Sequence, residues 1–439
     1  MPTDEGDEKP TAETRLILRI DDVWYDCTGF AARHPGGAQL LQLLSGEDAT
    51  DLFYSTHRLP GAASAALATL PRASRPTRTV KCETRLMRDF RRLDRELEQR
   101  GLYEPQPLAY APRAAALAAL LFVSAHSASW LCSALAFALF LQQCAFIGHD
   151  AGHNTVLRTR RGNALLGVLV GNACTGISMA WWKSTHNVHH AMTNSLDCDP
   201  DVQHAPVLAM HAAYLDPHPV WSRFHARALE VPAAARRLLR WQHYFYYPLM
   251  AVARFNLYVQ SIAHVVNPEH TVPLRALELA GLGVYYAGLT SLALSWPSAH
   301  ECAAWLVVSH AAAGILHVQI TLSHFFMEYY LGASHRATPV AERFVRTQLA
   351  TTTDIACPPC LQWVHGGLDM QTTHHLFPRL PRDALARARP LVRAFCDAHG
   401  LTYHSVGWCA ANARLVRALA AAGRRGDAGL LREAWVAAG

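Results

Sequence analysis

Three short stretches of this 439-residue chain carry imidazoles at spacings that suit metal binding. His149-Asp-Ala-Gly-His153 sets two at i and i+4. His186-Asn-Val-His189-His190 sets three at i, i+3 and i+4, and Gln371-Thr-Thr-His374-His375 repeats that pattern with an amide in first place. On a helix each set projects from one face. Seven imidazoles from three helices can surround a pair of metal ions, and this donor suits iron as well as zinc or copper. His324, within an apolar stretch, is an eighth candidate, because an intramembrane histidine is a functional-site hypothesis by default. The plain alternative is a histidine hydrogen-bonded inside the bundle. A separate pair, His34 in His34-Pro-Gly-Gly37 and His57, lies 23 residues apart. Two such imidazoles could clamp a haem from both faces, with Leu40, Leu43, Leu44 and Phe53 along the ring. Bis-histidine ligation leaves no open position for oxygen, so such a centre passes electrons and does not activate substrate.

Composition indicates where these groups must sit. Hydrophobic residues make up 51% of the chain and charged residues 17%, with 40 Lys and Arg against 34 Asp and Glu. A charged fraction below the usual value of roughly 25% speaks against disorder, coiled coil and a purely soluble enzyme. The net charge of +6 comes without a basic helix interleaved with aromatics. It therefore suits an anionic membrane surface, and no nucleic-acid partner is expected. The 25 His outnumber the Phe, the Tyr or the Trp. The 11 Cys are scattered without a repeating spacing, and Cys357-Pro-Pro-Cys360 is a lone CxxC, weak as a zinc or redox motif. The N-terminal MPTDEGDEKPTAET is acidic, unlike a secretory signal or an Arg-rich transit peptide. That favours the endoplasmic reticulum membrane over the plastid.

The elements that position the imidazoles follow from hydropathy. Residues 1–14 read as a disordered leader, 15–75 as a compact soluble domain, and 76–112 as a basic linker or interfacial helix. Ala114–Gly148 has no charged side chain over 35 residues. One span needs about 20 apolar residues, so this stretch predicts a tight two-helix hairpin turning near His126–Ser129. Leu279–Trp296 and Cys302–Phe326, separated by the Pro297–Glu301 turn, predict a second hairpin. Asn163–Trp182 and Phe245–Val266 carry polar breaks and read as interfacial or buried helices. The turns inside the hairpins lack Lys and Arg, whereas the flanks carry Arg113, Arg158, Arg160, Arg161 and Lys183. The positive-inside rule puts those flanks in the cytosol. Four spans then leave both termini and all three histidine clusters on the cytosolic face. The membrane-embedded domain is expected to end near residue 420, with 421–439 as a tail.

The N-terminal residues Trp24-Tyr-Asp…Phe30, His34-Pro-Gly-Gly37 and Asp48-Ala-Thr…Phe53…His57 resemble a cytochrome b5 domain. HDAGH, HNVHH and QTTHH resemble the three histidine boxes of the membrane fatty-acyl desaturases. The fused haem domain and the Gln that opens the third box resemble the front-end subgroup, in particular the delta-8 sphingolipid (long-chain-base) and delta-6 acyl-lipid enzymes. The resemblance implies an α+β cytochrome b5-like haem domain fused to an all-α four-span membrane desaturase domain. It implies haem b held by His34 and His57, and two iron ions held by His149, His153, His186, His189, His190, His374 and His375, with His324 as the eighth ligand. Gln371 would bind through its carbonyl oxygen, bind through water, or orient a neighbour. The resemblance also implies O2 as co-substrate, NADH acting through a cytochrome b5 reductase, and a lipid substrate in the membrane. Glu47, Asp48 and Asp51 are candidates for the rim that docks the reductase.

Second-sphere candidates are Asp150, Asn187, Asp199 and His204. One departure stands out: this subgroup usually shows QxEHH, whereas this chain has Thr372 and Thr373 between Gln and His374. That puts regioselectivity and substrate class in doubt. Delta-6 or delta-5 acyl-lipid desaturation is the alternative activity, and a non-catalytic haem- and metal-binding membrane protein the remote one.

Overall fold

The computed structural model describes residues 15–57, 61–73, 84–216, 218–332 and 340–424. The expected leader, the Arg75, Arg78 and Lys81 portion of the basic stretch and most of the tail lie outside them. The chain forms two compact units, Met1–Lys81 and Cys82–Gly439.

In the first unit, strands Ile17–Ile20 and Val23–Asp26 pair antiparallel. Leu18 and Ile20 point into a small core with Leu41, Leu43 and Leu44. Short helices Ala38–Leu43, Thr50–Thr56 and Ala62–Thr69 follow. Asp48 anchors the second of these by accepting from the Thr50 amide at 3.1 Å and its hydroxyl at 2.5 Å. Its other oxygen lies 4.0 Å from Arg19, which is itself buried. Asp48 is therefore occupied inside the fold, and a docking rim there has only Glu47 and Asp51 to draw on.

The second unit is mostly helical. The expected first hairpin is present as Ala111–His126 and Trp130–Gly152, broken at residues 127–129, with Ser129 capping the second helix. The second hairpin is Arg275–Leu294 followed by Ala299–Leu322, where Ser298 and Glu301 form a reciprocal capping box. The two hairpins meet through Phe137 and the fully buried Trp305, whose ring centroids lie 5.2 Å apart.

Among the described residues five helices are long and apolar enough to cross a membrane, one more than the sequence reading counted. The fifth is Gln242–Val266, a continuous helix of 25 residues despite Pro248. Its polar residues face inward: Arg254, Tyr258 and Ser261 are buried, whereas Val252, Phe255, Val259, Ile262 and Val266 are exposed. This reverses the pattern of a helix on a water-soluble core. Arg254 Nε donates to the Tyr258 hydroxyl at 2.8 Å and its Nη2 to the Thr175 carbonyl at 2.8 Å, so the buried cation is solvated by protein groups. The expected element at Asn163–Trp182 is broken into Arg160–Gly167, a π-helical turn Val168–Ala173 and the start of Met179–Ala191.

The helix Arg85–Gln99, expected as a linker or a surface helix, packs into the second unit. Leu86, Met87, Phe90, Leu93 and Leu97 are buried in one cluster with Leu376 and Phe377, and Phe90 stacks on Phe377 at 5.1 Å. Thr84 caps the helix by accepting from the Met87 amide at 3.3 Å.

Candidate metal centre and haem site

The first histidine cluster sits at the C-terminal end of Trp130–Gly152, with His153 as the C-cap. The second lies in the last turns of Met179–Ala191. The third occupies Gln371–Leu376, a helix of six residues. A helix that short is marginal by itself, so its surroundings must hold it.

The helix bearing the second cluster is held by its N-terminus. Ser178 accepts from the Trp181 amide at 3.1 Å, Asn172 from the Met179 amide at 3.2 Å, and Glu278 from the Ala180 amide at 3.1 Å. Glu278, only 3% exposed, also accepts from the Ser178 hydroxyl at 2.6 Å and from Asn172 Nδ2 at 3.1 Å. A carboxylate there also complements the positive end of the helix dipole.

The third helix rests on the two threonines that depart from QxEHH. Both are fully buried. The Thr372 amide donates to Asp354 at 3.1 Å, and Thr372 Oγ1 accepts from Thr352 at 3.2 Å. Thr373 Oγ1 lies 3.1 Å from the Tyr403 hydroxyl, which donates to the second Asp354 oxygen at 2.6 Å. Asp354 begins a strand that pairs in parallel with Ser405–Gly407, so this footing reaches the end of the domain. The two departing side chains are thus met by hydrogen bonding to Thr352 and Tyr403.

These elements bring all eight candidate imidazoles together in two pockets. His149, His153, His186, His190 and His374 form one, and His189, His324 and His375 the other; within each, the ligand atoms lie within 4.8 Å of one another. The pockets abut: the His190 and His375 rings stack at 4.2 Å. In the larger pocket, His186 Nε2 is 3.1 Å from His153 Nε2 and 3.0 Å from His190 Nε2. His149 Nε2 and His374 Nε2 are buried without a hydrogen-bond partner. Buried polar atoms are rarely left so, and converging nitrogen lone pairs call for a cation between them.

In the smaller pocket each Nδ1 is tied back to protein. His189 donates to Asp199 at 2.9 Å, His375 to Gln348 Oε1 at 3.0 Å, and His324 to the Thr351 carbonyl at 3.2 Å. That arrangement turns every Nε2 inward and fixes the tautomer. Gln371 reaches His324 Nε2 at 3.1 Å and His375 Nε2 at 3.2 Å through its amide, and its Oε1 is buried without a partner. An all-imidazole donor set with one amide suits iron, zinc or copper and not calcium or magnesium. The residues present therefore fit a pair of iron ions.

The electrostatics agree. Burial first, and then neighbouring imidazoles, hold His153, His186, His190, His374 and His375 well below the ordinary histidine range, and so as neutral donors. His189 is the exception. Burial again opposes its charge, but Asp199 and Asp201 outweigh it and raise the group to about 9. A cation arriving at its Nε2 would take the place of that proton.

Among the second-sphere candidates, Asp199 holds His189, and Asp150 lies 3.6 Å from His149 Nδ1 while pairing with Arg382 at 2.6 Å. His204 packs on Phe325 instead, at 6.0 Å, and Asn187 sits a helical position away from the face His186 presents. Cys357 and Cys360 are free thiols, the second exposed. Sequence reasoning missed Gln348, Thr351 and Glu278. It also missed Trp182, which stacks on His186 at 4.2 Å; its place four residues before His186 was the available signal.

In the first unit His34 and His57 face each other with ring centroids 6.1 Å apart. His34 Nδ1 is bound to the Gly37 carbonyl at 3.1 Å and His57 Nδ1 to the Phe53 carbonyl at 2.9 Å, which fixes how each ring is turned. The two glycines have separate reasons. Gly37 has φ +96°, and a Cβ on Gly36 would stand 2.7 Å from His34 Cε1. The residues fit a haem iron held between the two rings.

Residues 82–407 match the fatty acid desaturase family, and residues 7–87 match the cytochrome b5-like haem/steroid-binding domain. The chain belongs to the fatty acid desaturase family. It is 37% identical over 424 residues to Delta(8)-fatty-acid desaturase 2 of Arabidopsis thaliana, covering 95% of this chain and 92% of that one. It is 36% identical over 347 residues to a Delta 8-(E)-sphingolipid desaturase of Kluyveromyces lactis, covering 77% and 59%. An Acyl-lipid (9-3)-desaturase of Borago officinalis is 32% identical over 426 residues, covering 92% and 89%. This desaturase is accordingly an oxidoreductase in which a cytochrome b5 domain is fused to the catalytic domain, with haem and iron as the groups its two families imply.

Proposed function

We propose that this desaturase introduces a double bond at the delta-8 position of a sphingolipid long-chain base, on the front-end side of the chain. The observation that carries the reading is the double histidine pocket, joined in one chain to a bis-histidine haem site and akin to delta-8 relatives over nearly its full length. The Borago relative supports a second reading, a delta-6 or delta-5 acyl-lipid desaturase.

In this reading His149, His153, His186, His190 and His374 hold one iron ion, and His189, His324 and His375 the other, with Gln371 beside the second. Iron, when bound, lets O2 remove two hydrogens from adjacent CH2 groups; with two electrons and two protons the oxygen leaves as two waters. The chain's own residues set the stage for this. Asp199, Gln348 and the Thr351 carbonyl hold a proton on each Nδ1, Trp182 shields His186, and the apolar bundle keeps bulk water from the reacting chain. His34 and His57 would hold the haem iron between them, which would leave no position for O2, and fusion raises the local concentration of the donor. Electrons come from NADH through a cytochrome b5 reductase, at the endoplasmic reticulum.

We further propose domain limits near 15–75 and 113–420, four crossings, and cytosolic termini and histidine boxes. Parity supports the crossings. Residues 186–190 and 374–375 line the same pockets, so the chain between them crosses an even number of times. Three long apolar helices lie in that interval, and Gln242–Val266 is the one that does not cross. Gln242 donates to the Leu419 carbonyl of helix Trp408–Arg424 at 3.0 Å, and Ser261 accepts from the Ser178 amide at 3.0 Å. Both ends thus hold to parts of the histidine-bearing side. A glycosylation acceptor loop inserted at residue 269 should stay unmodified in microsomes, and the same loop at residue 297 should be glycosylated. Modification at 269 would defeat the four-crossing arrangement.

The activity is tested by lipid profiling of yeast lacking it, expressing the wild-type chain or His186→Ala and fed candidate fatty acids. New unsaturation in sphingoid bases, absent with His186→Ala, is the expected result. New bonds confined to fatty acids would replace it with the acyl-lipid reading, and no new lipid from membrane-inserted, haem-loaded protein would reject both.

A further inference from the structure

Gln348 belongs to none of the histidine boxes, yet it touches both pockets. It lies on helix Arg343–Thr351 and is 1% exposed. Its Nε2 donates to the backbone carbonyl of His190 at 2.8 Å, and its Oε1 accepts from His375 Nδ1 at 3.0 Å. The Thr193 hydroxyl, 3.2 Å from that Oε1, also reaches the His189 carbonyl at 2.7 Å.

The direction of this chain is forced. The His190 carbonyl can only accept, so the NH2 end of the Gln348 amide must face it. The oxygen end then faces His375, whose Nδ1 must carry the proton. His375 Nε2 is left as a lone pair turned into the smaller pocket. His190 belongs to the larger pocket and His375 to the smaller.

We propose that Gln348 is a positioning residue that sets the His375 tautomer and, by gripping the His190 carbonyl, fixes the two pockets against each other. The proposal rests on the reading of the pockets as metal sites. It also accounts for the asymmetry of the smaller pocket: a carboxylate backs His189, whereas a neutral amide backs His375 and a backbone carbonyl backs His324.

The test uses the full-length chain in detergent, stripped of iron and titrated with Co2+ by equilibrium dialysis. Wild type should take two cobalt ions per chain. Gln348→Met, similar in length but without an acceptor, should bind the second about 10–100-fold more weakly, the usual scale for a lost outer partner, with haem content unchanged. Gln348→Glu keeps an oxygen for His375 Nδ1 but has no donor for the His190 carbonyl, so it should recover part of the second-ion affinity lost in Gln348→Met, which a merely space-filling role would not predict. Wild-type affinity in Gln348→Met, or a Gln348→Glu no better than Met, overturns the proposal. If wild type takes up no cobalt, the metal reading fails. Amide hydrogen exchange across 186–191 and 371–376 in the metal-free chain then decides Gln348 alone. Faster exchange in both segments of Gln348→Met upholds the grip, and unchanged exchange overturns it.

Discussion

Replacing His57 with alanine is expected to yield a membrane-inserted protein without the haem absorbance of wild type and with NADH-driven desaturation at least about 100-fold lower, the advantage that tethering gives to a linked donor. His57 is the C-cap of Thr50–Thr56, half-buried, with its Nδ1 bound to the carbonyl one turn back. Its loss opens one face of the haem site and leaves Leu41, Leu43 and Leu44 packed as before. The first unit should therefore stay folded, and added free cytochrome b5 should return part of the activity. Difference spectra of the purified protein and product analysis with and without that supplement make the measurement. A His57→Ala protein with a wild-type haem spectrum would remove His57 from the ligand pair.

Glu278→Ala should be the most damaging single change in the second unit. The carboxylate serves the Ala180 amide, the Ser178 hydroxyl and Asn172 Nδ2, all in a buried setting. Alanine orphans the Ala180 amide and the Ser178 hydroxyl, whereas Asn172 Nδ2 keeps the residue-278 backbone carbonyl at 3.4 Å; two donors at about 1–3 kcal/mol each give an expected loss of about 2–6 kcal/mol. Because those donors begin the helix that carries His186, His189 and His190, iron content should fall with stability. Tryptophan fluorescence on heating in detergent, with metal analysis of the same preparation, reads both. A melting curve superimposable on that of wild type would mean the cap is dispensable.

The contrast between these two residues shows what the sequence makes legible. His57 announces itself by its surroundings, and the boxes by i, i+3 and i+4 spacing, because local periodicity is written along the chain. The first hairpin was legible for the same reason: the predicted turn near His126–Ser129 is where the helix breaks. Glu278 and Gln348 carry no such mark. Their partners lie about 100 and 158 residues away, and no pattern links a buried acceptor to a distant donor. In the helix Gln242–Val266 it was the arrangement of the polar breaks that the sequence left unmarked. Its polar residues look like interruptions in a hydropathy profile, but Arg254, Tyr258 and Ser261 all lie on the buried side of one unbroken helix. The packing of Arg85–Gln99 against Phe377 was likewise invisible, since a basic, amphipathic stretch reads the same whether its apolar face meets lipid or protein.

The footing beneath the third box bears on how such enzymes can be recombined. The Thr372 and Thr373 hydroxyls are seated on Thr352 and Tyr403, and Asp354, at the start of a strand, takes the Thr372 amide and the Tyr403 hydroxyl. A graft of only five residues from another desaturase would transfer the spacing of its ligands but set them on a foundation cut for two small hydroxyls. A larger residue at 372 meets Thr352 and one at 373 meets Tyr403, and either displacement reaches His374 and His375 through the same short helix. The natural exchangeable cassette in this protein is therefore not the box but the segment from Thr352 to Gly407, which carries the hydroxyl, carboxylate and phenol beneath the two threonines with it.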